Sequence, residues 1–308
     1  MMTRDEFIVE AKTLSRDELK SIANEQRERS AGRIPPEVQQ KFRSLDDVTY
    51  SKEIYVDTEY GKTHVFLIGK KDTSDEKKPV IINVHGGGWC LPHTERDIYF
   101  CRRIANSIDA IVIDIDYVLA PEYPYPAAIE EIEALMSKIP SKLEEWGGDT
   151  NRVILCGQSA GGNLIGAVSQ RNKCFDGIKV LKQILCYFPA DNYINRFGTA
   201  ELDERSRSTE YYGFFYNPVF EDRKKSDVSL VYASEAELSH LPETDIITGG
   251  LDDLTPDAHR YFDMLKEFGV SASYKCFDNS RHGFMVNLYD EWKEAEEYLV
   301  SLIKKGLK

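Results

Sequence analysis

The stretch Arg152-Val153-Ile154-Leu155-Cys156-Gly157-Gln158-Ser159-Ala160-Gly161, continuing as Gly162-Asn163 and a helical run to Gln170, decides how the chain is read. Its first half is a short apolar run rich in β-branched residues, the pattern of a buried strand. Its second half has helical spacing. Between them lies G-x-S-x-G, in which glycines two before and two after the serine let strand and helix pass without side-chain collision. Such a turn holds Ser159 in a strained conformation at the strand end, where its hydroxyl is presented as a nucleophile.

Outward from this turn, seven further β-rich runs recur, at 52–58, 63–69, 79–85, 110–116, 182–188, 244–249 and 271–277. Helical apolar spacing falls between the later ones, at 95–107, 126–139, 160–171, 256–268 and 290–304. That alternation predicts an α/β fold, an eight-stranded and mainly parallel sheet covered by helices on both faces. The first two runs have no helix between them and are expected to pair antiparallel. Residues 1–45, charged amphipathic helices broken at Pro35-Pro36, and the aromatic-rich insertion 190–240 break the rhythm. Both are too long to be structureless loops in a compact domain and are expected to form one helical cap in two pieces over a single domain spanning 1–308. The charged stretch Lys70–Lys78 reads as an exposed loop.

A second motif, His85-Gly86-Gly87-Gly88-Trp89, ends the run PVIINV. Consecutive glycines leave backbone N–H groups free to face an oxygen that becomes negative during acyl transfer, although taken alone the loop also suits a flexible turn or a phosphate cradle. It lacks the Lys and Ser/Thr of a P-loop and is not G-x-G-x-x-G.

Together these motifs resemble the hormone-sensitive lipase family of α/β-hydrolases, from about residue 79 to the C-terminus. The resemblance runs through His85–Trp89, through Tyr117-Val118-Leu119-Ala120-Pro121-Glu122 with Pro126-Ala127-Ala128, and through Gly157–Asn163. It implies an oxyanion hole of Gly87, Gly88 and Ala160, with His85 positioning its loop. Chain order in this fold is Ser, then Asp or Glu, then His. Of the downstream histidines, His259 lies in a helical stretch and His240 precedes the penultimate strand, whereas His282 follows the last strand in Arg281-His282-Gly283-Phe284. His282 is therefore the expected base. The acid should follow the run TDIITG, in Gly250-Leu251-Asp252-Asp253-Leu254. The family pattern G-x-D-P-L places it on Asp252; here Asp253 replaces the usual proline and is expected to be a solvated loop or N-cap residue, with Asp257 a third candidate. Gln158 stands where many members carry aspartate.

The resemblance implies a carboxylesterase without metal or cofactor, whose partner is a small-molecule acyl ester. Other functions with the same framework are an amidase or formamidase, or a non-catalytic small-ligand receptor, the latter disfavoured by the presence of His282. A third is an interaction module built on the acidic N-terminal helices, for which charge alone is poor support. The chain of 308 residues carries 39 Lys and Arg against 52 Asp and Glu, a net charge of -13 that repels nucleic acid and anionic lipid. Residues 1–20 are charged throughout, with no apolar h-region, and nowhere do 18 apolar residues run together, so a soluble, unexported, cytoplasmic protein is expected. The six cysteines, Cys90, Cys101, Cys156, Cys174, Cys186 and Cys276, lack metal-ligand spacing and read as small buried hydrophobes. A homo-oligomer is compatible with everything above. Among the insertion's aromatics, Tyr193, Phe197, Tyr211, Tyr212 and Phe214–Tyr216 are expected mostly to pack the cap down, with Phe214, Phe215 or a neighbour filling acyl-pocket volume.

Overall fold

The computed structural model describes residues 2–30, 40, 48–71 and 76–308. The Pro35-Pro36 break lies outside them, as does the centre of the expected Lys70–Lys78 loop.

All eight expected strands form: β1 (Thr49–Thr58), β2 (Gly61–Lys70), β3 (Lys78–Val84), β4 (Ile111–Asp116), β5 (Gly148–Gln158), β6 (Val180–Cys186), β7 (Glu243–Gly249) and β8 (Ala272–Phe277). They make one sheet in the order β1-β2-β4-β3-β5-β6-β7-β8. β2 pairs antiparallel with both β1 and β4, and every later pairing is parallel. The run expected to reach Phe188 stops at Cys186, because Tyr187 turns to φ 37° and leaves the extended conformation.

Side chains alternate with the period of two that a strand imposes. Val80, Ile82, Val84, Val153 and Leu155 join one core, while Ile81, Ile154 and Cys156 join the other. The first core is closed by α4 (Ala127–Met136), α5 (Ile139–Trp146), α6 (Ala160–Arg171) and α9 (Thr255–Glu267), the second by α3 (Glu95–Ile108) and α11 (Trp292–Gly306). Five of these six were expected from the sequence at nearly these bounds; α5 was not, the expected segment ending at residue 139 where it begins. Burying both faces is what makes the central strands read as near-continuous apolar runs.

The two irregular segments meet. α1 (Arg4–Ala11) and α2 (Arg16–Ser30) pack on α7 (Glu204–Tyr216) of the insertion. Thr3 bridges Glu201, the Leu202 amide donates to the Met2 carbonyl at 2.8 Å, and Phe7 sets its ring edge-on to Tyr211 at 4.8 Å. Arg27 anchors α2 to the body: it donates to the carbonyls of Cys90 and Ala120 at 2.9 Å and clasps Glu122 through both carboxylate oxygens, at 2.8 and 2.7 Å. Glu122 is thereby held below the usual carboxylate range, chiefly by that hydrogen-bonded guanidinium. The short α8 (Glu235–Leu238) and α10 (Phe284–Asn287) and two 3-10 turns, Phe220–Lys224 and Leu230–Tyr232, are also present, and none of the described helices is long and apolar enough to cross a membrane.

A polar chain links three strands beneath the Ser159 turn. Gln158 Nε2 donates to Asn83 Oδ1 at 2.8 Å, Asn83 Nδ2 to Asp114 Oδ1 at 2.7 Å, and Asp114 Oδ2 meets His93 Nε2 at 2.7 Å. Burial opposes charging His93, but Asp114 outweighs it and raises the imidazole from 6.5 to about 9, with help from Asp97 and Asp116. Asp114 is correspondingly held low by His93 in spite of its own burial. A raised imidazole stabilises the fold fully below its unfolded value, and that contribution disappears as pH climbs through the folded one. The wild-type unfolding midpoint should therefore fall between pH 6.5 and 9.5 by more than that of His93→Gln, measured by thermal or urea melts. Parallel curves for the two proteins would refute this contribution.

Candidate active site

The turn after β5 is the pivot of the site. Ser159 has φ 52° and ψ -122°, outside the ordinary regions for an L-residue, and its amide is fixed by the Cys186 carbonyl at 2.9 Å. The chain can turn so sharply only because Gly161 lies against the end of β3. A Cβ there would stand 2.0 Å from the Val84 carbonyl oxygen and 2.5 Å from that of His85. Any side chain would push α6 off the sheet.

The turn brings Ser159 under the ring of His282. His282 Nε2 lies 2.9 Å from Ser159 Oγ, and His282 Nδ1 lies 2.7 Å from Asp252 Oδ2. Asp252 is held on its other oxygen by the Leu254 amide at 3.1 Å, and its side chain is 2% exposed. The ring is steadied edge-on by Tyr187 at 5.3 Å, and the Tyr289 hydroxyl donates to the His282 carbonyl.

The remaining carboxylates and histidines lie elsewhere. Asp253 points to solvent, 64% exposed, with Arg205 at 3.5 Å, and it caps no helix, since Leu254 occupies the N-cap position of α9. Asp257 is bound to Arg196, whose Nε donates to it at 2.7 Å. His259 pairs with Asp263 on the surface, and His240 Nε2 is bonded to the Gln170 carbonyl at 2.9 Å. His85 is buried, stacked on Tyr117 at 4.5 Å with Nδ1 on the Gly86 carbonyl; burial pushes its pKa down and keeps it neutral.

The loop after β3 lies beside the serine because β3 and β5 are neighbours. A Cβ on Gly86 would stand 3.2 Å from Ser159 Cβ. Gly88 takes φ 59°, and its α-carbon abuts the Tyr212 ring so closely that an added Cβ would be 2.5 Å from Cγ. Gly87, Gly88 and Ala160 border the same cavity as Ser159, Asp252 and His282. Ala160 opens α6, so its amide has no carbonyl of an earlier helical turn to bond. The cavity measures about 1240 Å³. Among the described residues no group of three His, Cys, Asp or Glu is placed to hold a metal ion.

Two aromatic expectations change. Phe214 and Phe215 are at most 1% exposed, belong to the core and do not border the cavity; Tyr212, Phe197, Trp89 and Tyr187 do. Helical geometry explains the exchange, since Tyr212 lies two residues from Phe214 and so on a different face of α7. Tyr187 and Arg27 were not foreseen. A strand-terminal aromatic beside the serine strand was a usable cue for the first. Arg27, one of several charges on a polar helix, offered none.

Residues 81–286, more than half of the chain, match the model of a family described as having the alpha/beta hydrolase fold. Carboxylesterase NlhH of Mycobacterium tuberculosis is 32% identical over 213 residues, covering 67% of this chain and 66% of that protein. The chain thus spans about two thirds of the length of that relative. The arylacetamide deacetylase of Rattus norvegicus is 26% identical, covering 79% of this chain and 77% of its own. Among solved structures, the hyperthermophilic esterase of the archaeon Pyrobaculum calidifontis superimposes with a TM-score of 0.77 at 25% identity, covering 99% of both chains. A serine, histidine and aspartate drawn from three strand ends, a glycine loop beside them and a match across most of the sheet all lead to one assignment: the chain belongs to the hormone-sensitive-lipase and carboxylesterase type of the alpha/beta hydrolase family.

Proposed function

We propose that this protein is a carboxylesterase acting through a Ser159–His282–Asp252 triad and an acyl-enzyme. The observation that carries the proposal is the continuous pair of hydrogen bonds from Ser159 Oγ through the imidazole to Asp252. His282 Nε2 accepts the serine proton as Oγ attacks the ester carbonyl. Asp252 holds the opposite nitrogen protonated, which fixes the tautomer and stabilises the imidazolium. The tetrahedral oxyanion is received by the amides of Gly87, Gly88 and Ala160. His282 then passes its proton to the departing alkoxide, and a water activated by the same imidazole releases the acid.

The layer formed by α1, α2 and α7 acts as a cap over the substrate. The preference within it is for short acyl chains of roughly two to six carbons, supported by the charged groups set among the apolar side chains of its wall. A cavity of about 1240 Å³ could hold a longer chain, but Arg96, Arg196, Glu210 and Arg223 are part of its wall. Burying alkyl carbons against such groups forfeits the gain of about 25 cal/mol per Å² that an apolar wall returns. A second reading, amide cleavage by the same groups, is favoured by the similarity to the rat arylacetamide deacetylase.

Ser159→Ala should fold and lose on the order of 10⁶ in kcat against p-nitrophenyl butyrate, and a phosphonate or sulfonyl fluoride should label Ser159. Several per cent residual activity in the folded variant would exclude Ser159 as nucleophile. Asp252→Asn should cost on the order of 10⁴ in kcat, by analogy with the serine protease worked example, whereas Asp253→Asn should be mild. The opposite ranking would move the acid to Asp253. Across p-nitrophenyl acetate, butyrate, octanoate and palmitate, kcat/KM should peak at or before butyrate; a palmitate maximum, or activation at an emulsified triolein surface, would defeat the short-chain preference. Running the matching anilides in parallel decides between ester and amide cleavage.

A further inference from the structure

The glycine loop after β3 follows a backbone path that needs outside support. Gly87 takes φ 122° and Gly88 φ 59°, and Trp89 follows with φ 59°, a left-handed conformation that a bulky L-residue rarely adopts. Such a run persists only where its surroundings over-determine it. The amides of Cys90 and Leu91 donate to the Gly87 carbonyl at 3.1 and 2.8 Å, and the Ala120 amide donates to the Trp89 carbonyl at 2.8 Å. These bonds occupy carbonyls of the loop. Among the described residues, none accepts from the amides of Gly87 and Gly88.

Further support comes from the cap. Tyr212 and Tyr216 are four residues apart and therefore neighbours on one face of α7. The Tyr212 ring lies on Gly88, where an added Cβ would stand 2.5, 2.7 and 2.9 Å from three of its carbons. The Tyr216 ring stacks on Trp89 at 4.5 Å, the two planes 7° apart. Two consecutive residues of the loop are thus each covered by a ring of the same helix face. That face is itself fixed: Phe215, fully buried, stands edge-on to Tyr212 at 6.3 Å, and the Tyr216 carbonyl accepts from the Tyr125 amide at 2.6 Å. From α2, Arg27 adds its bond to the Cys90 carbonyl at 2.9 Å. Gly87, Gly88, Trp89 and Tyr212 border the same cavity as Ser159.

We infer that Tyr212 and Tyr216 are positioning residues for the oxyanion loop, their shared face of α7 holding Gly87 and Gly88 in the conformation that turns their amides toward the substrate carbonyl oxygen. The cap then contributes to the chemical step as well as to access. The inference rests on the oxyanion role proposed for those glycines and adds what keeps them in place. A ring offers a flat, rigid face to an α-carbon. A leucine at position 212 is smaller and leaves a gap over Gly88 into which the loop can relax.

The test separates kcat from KM. Tyr212→Leu should lower kcat for p-nitrophenyl acetate by about 10- to 100-fold, as expected for donors displaced and not removed, with KM within about threefold of wild type. A butyl trifluoromethyl ketone adds to Ser159 Oγ as a hemiketal oxyanion, the serine proton passing to His282; its affinity should fall by the same factor. Tyr212→Phe keeps the ring and should retain at least about half of kcat, whereas Tyr216→Leu should behave as Tyr212→Leu. A raised KM at unchanged kcat would make Tyr212 a wall of the substrate pocket and overturn the inference. So would a loss in Tyr212→Phe equal to that in Tyr212→Leu. Hydrogen exchange supplies a readout independent of turnover: the Cys90 and Leu91 amides should exchange at least about tenfold faster in Tyr212→Leu, while β5 keeps its wild-type rates. Unchanged exchange at Cys90 and Leu91 would also overturn it. Should the leucine variants fail to fold, Tyr212→Met and Tyr216→Met carry the same comparison. If the wild-type protein hydrolyses no ester, the esterase reading fails, while the exchange rates still decide whether the cap holds the loop.

Discussion

The close approach of Gly161 to the carbonyls ending β3 is the contact on which the rest of the site depends. Strands β3 and β5 are adjacent and parallel, so their C-terminal ends emerge side by side. With α6 lying tight against β3, Ser159 at the end of β5 and the glycines after β3 share one small volume. A methyl group at position 161 would separate them. Strain at Ser159 is tolerated because the turn is over-determined: the Cys186 carbonyl fixes the amide, Gly157 and Gly161 pass each other without side chains, and the chain from Gln158 to His93 clamps three strands below.

The groups converging on Ser159 come from distant parts of the chain, each leaving the same edge of the sheet. Asp252 follows β7, His282 follows β8 and Tyr187 follows β6. Parallel strands bring their C-terminal loops to one edge, so that a site can be assembled there from many segments. Asp252 and Asp253 illustrate how finely that edge discriminates. One residue apart, they point to opposite environments: Asp252 inward to the imidazole, Asp253 outward to solvent and Arg205.

Above this edge the electrostatics change. Over the whole chain acids outnumber bases, yet arginines join the layer from α1, α2 and α7 within itself and to the body: Arg4 on Glu210, Arg29 on Glu204, and Arg27 on Glu122. The first two of these pairs join segments 206 and 175 residues apart, the last ties α2 to the body, and the buried Arg4–Glu210 pair is geometrically selective because a guanidinium demands a planar acceptor.

From the sequence alone came the eight strands, the antiparallel start, the helices between the later strands, the serine turn, the glycine loop and the histidine after the last strand. All of these are local patterns: period-two and period-3.6 burial, and glycines where a Cβ could not fit. The preference for Asp252 over Asp253 came from resemblance, and the physical distinction, burial and the bond to His282, belongs to the folded molecule. Which aromatics border the cavity and the clasp of Arg27 were decided only by tertiary structure. Each depends on which face of a polar helix meets a partner far along the chain, and no short-range periodicity carries that information.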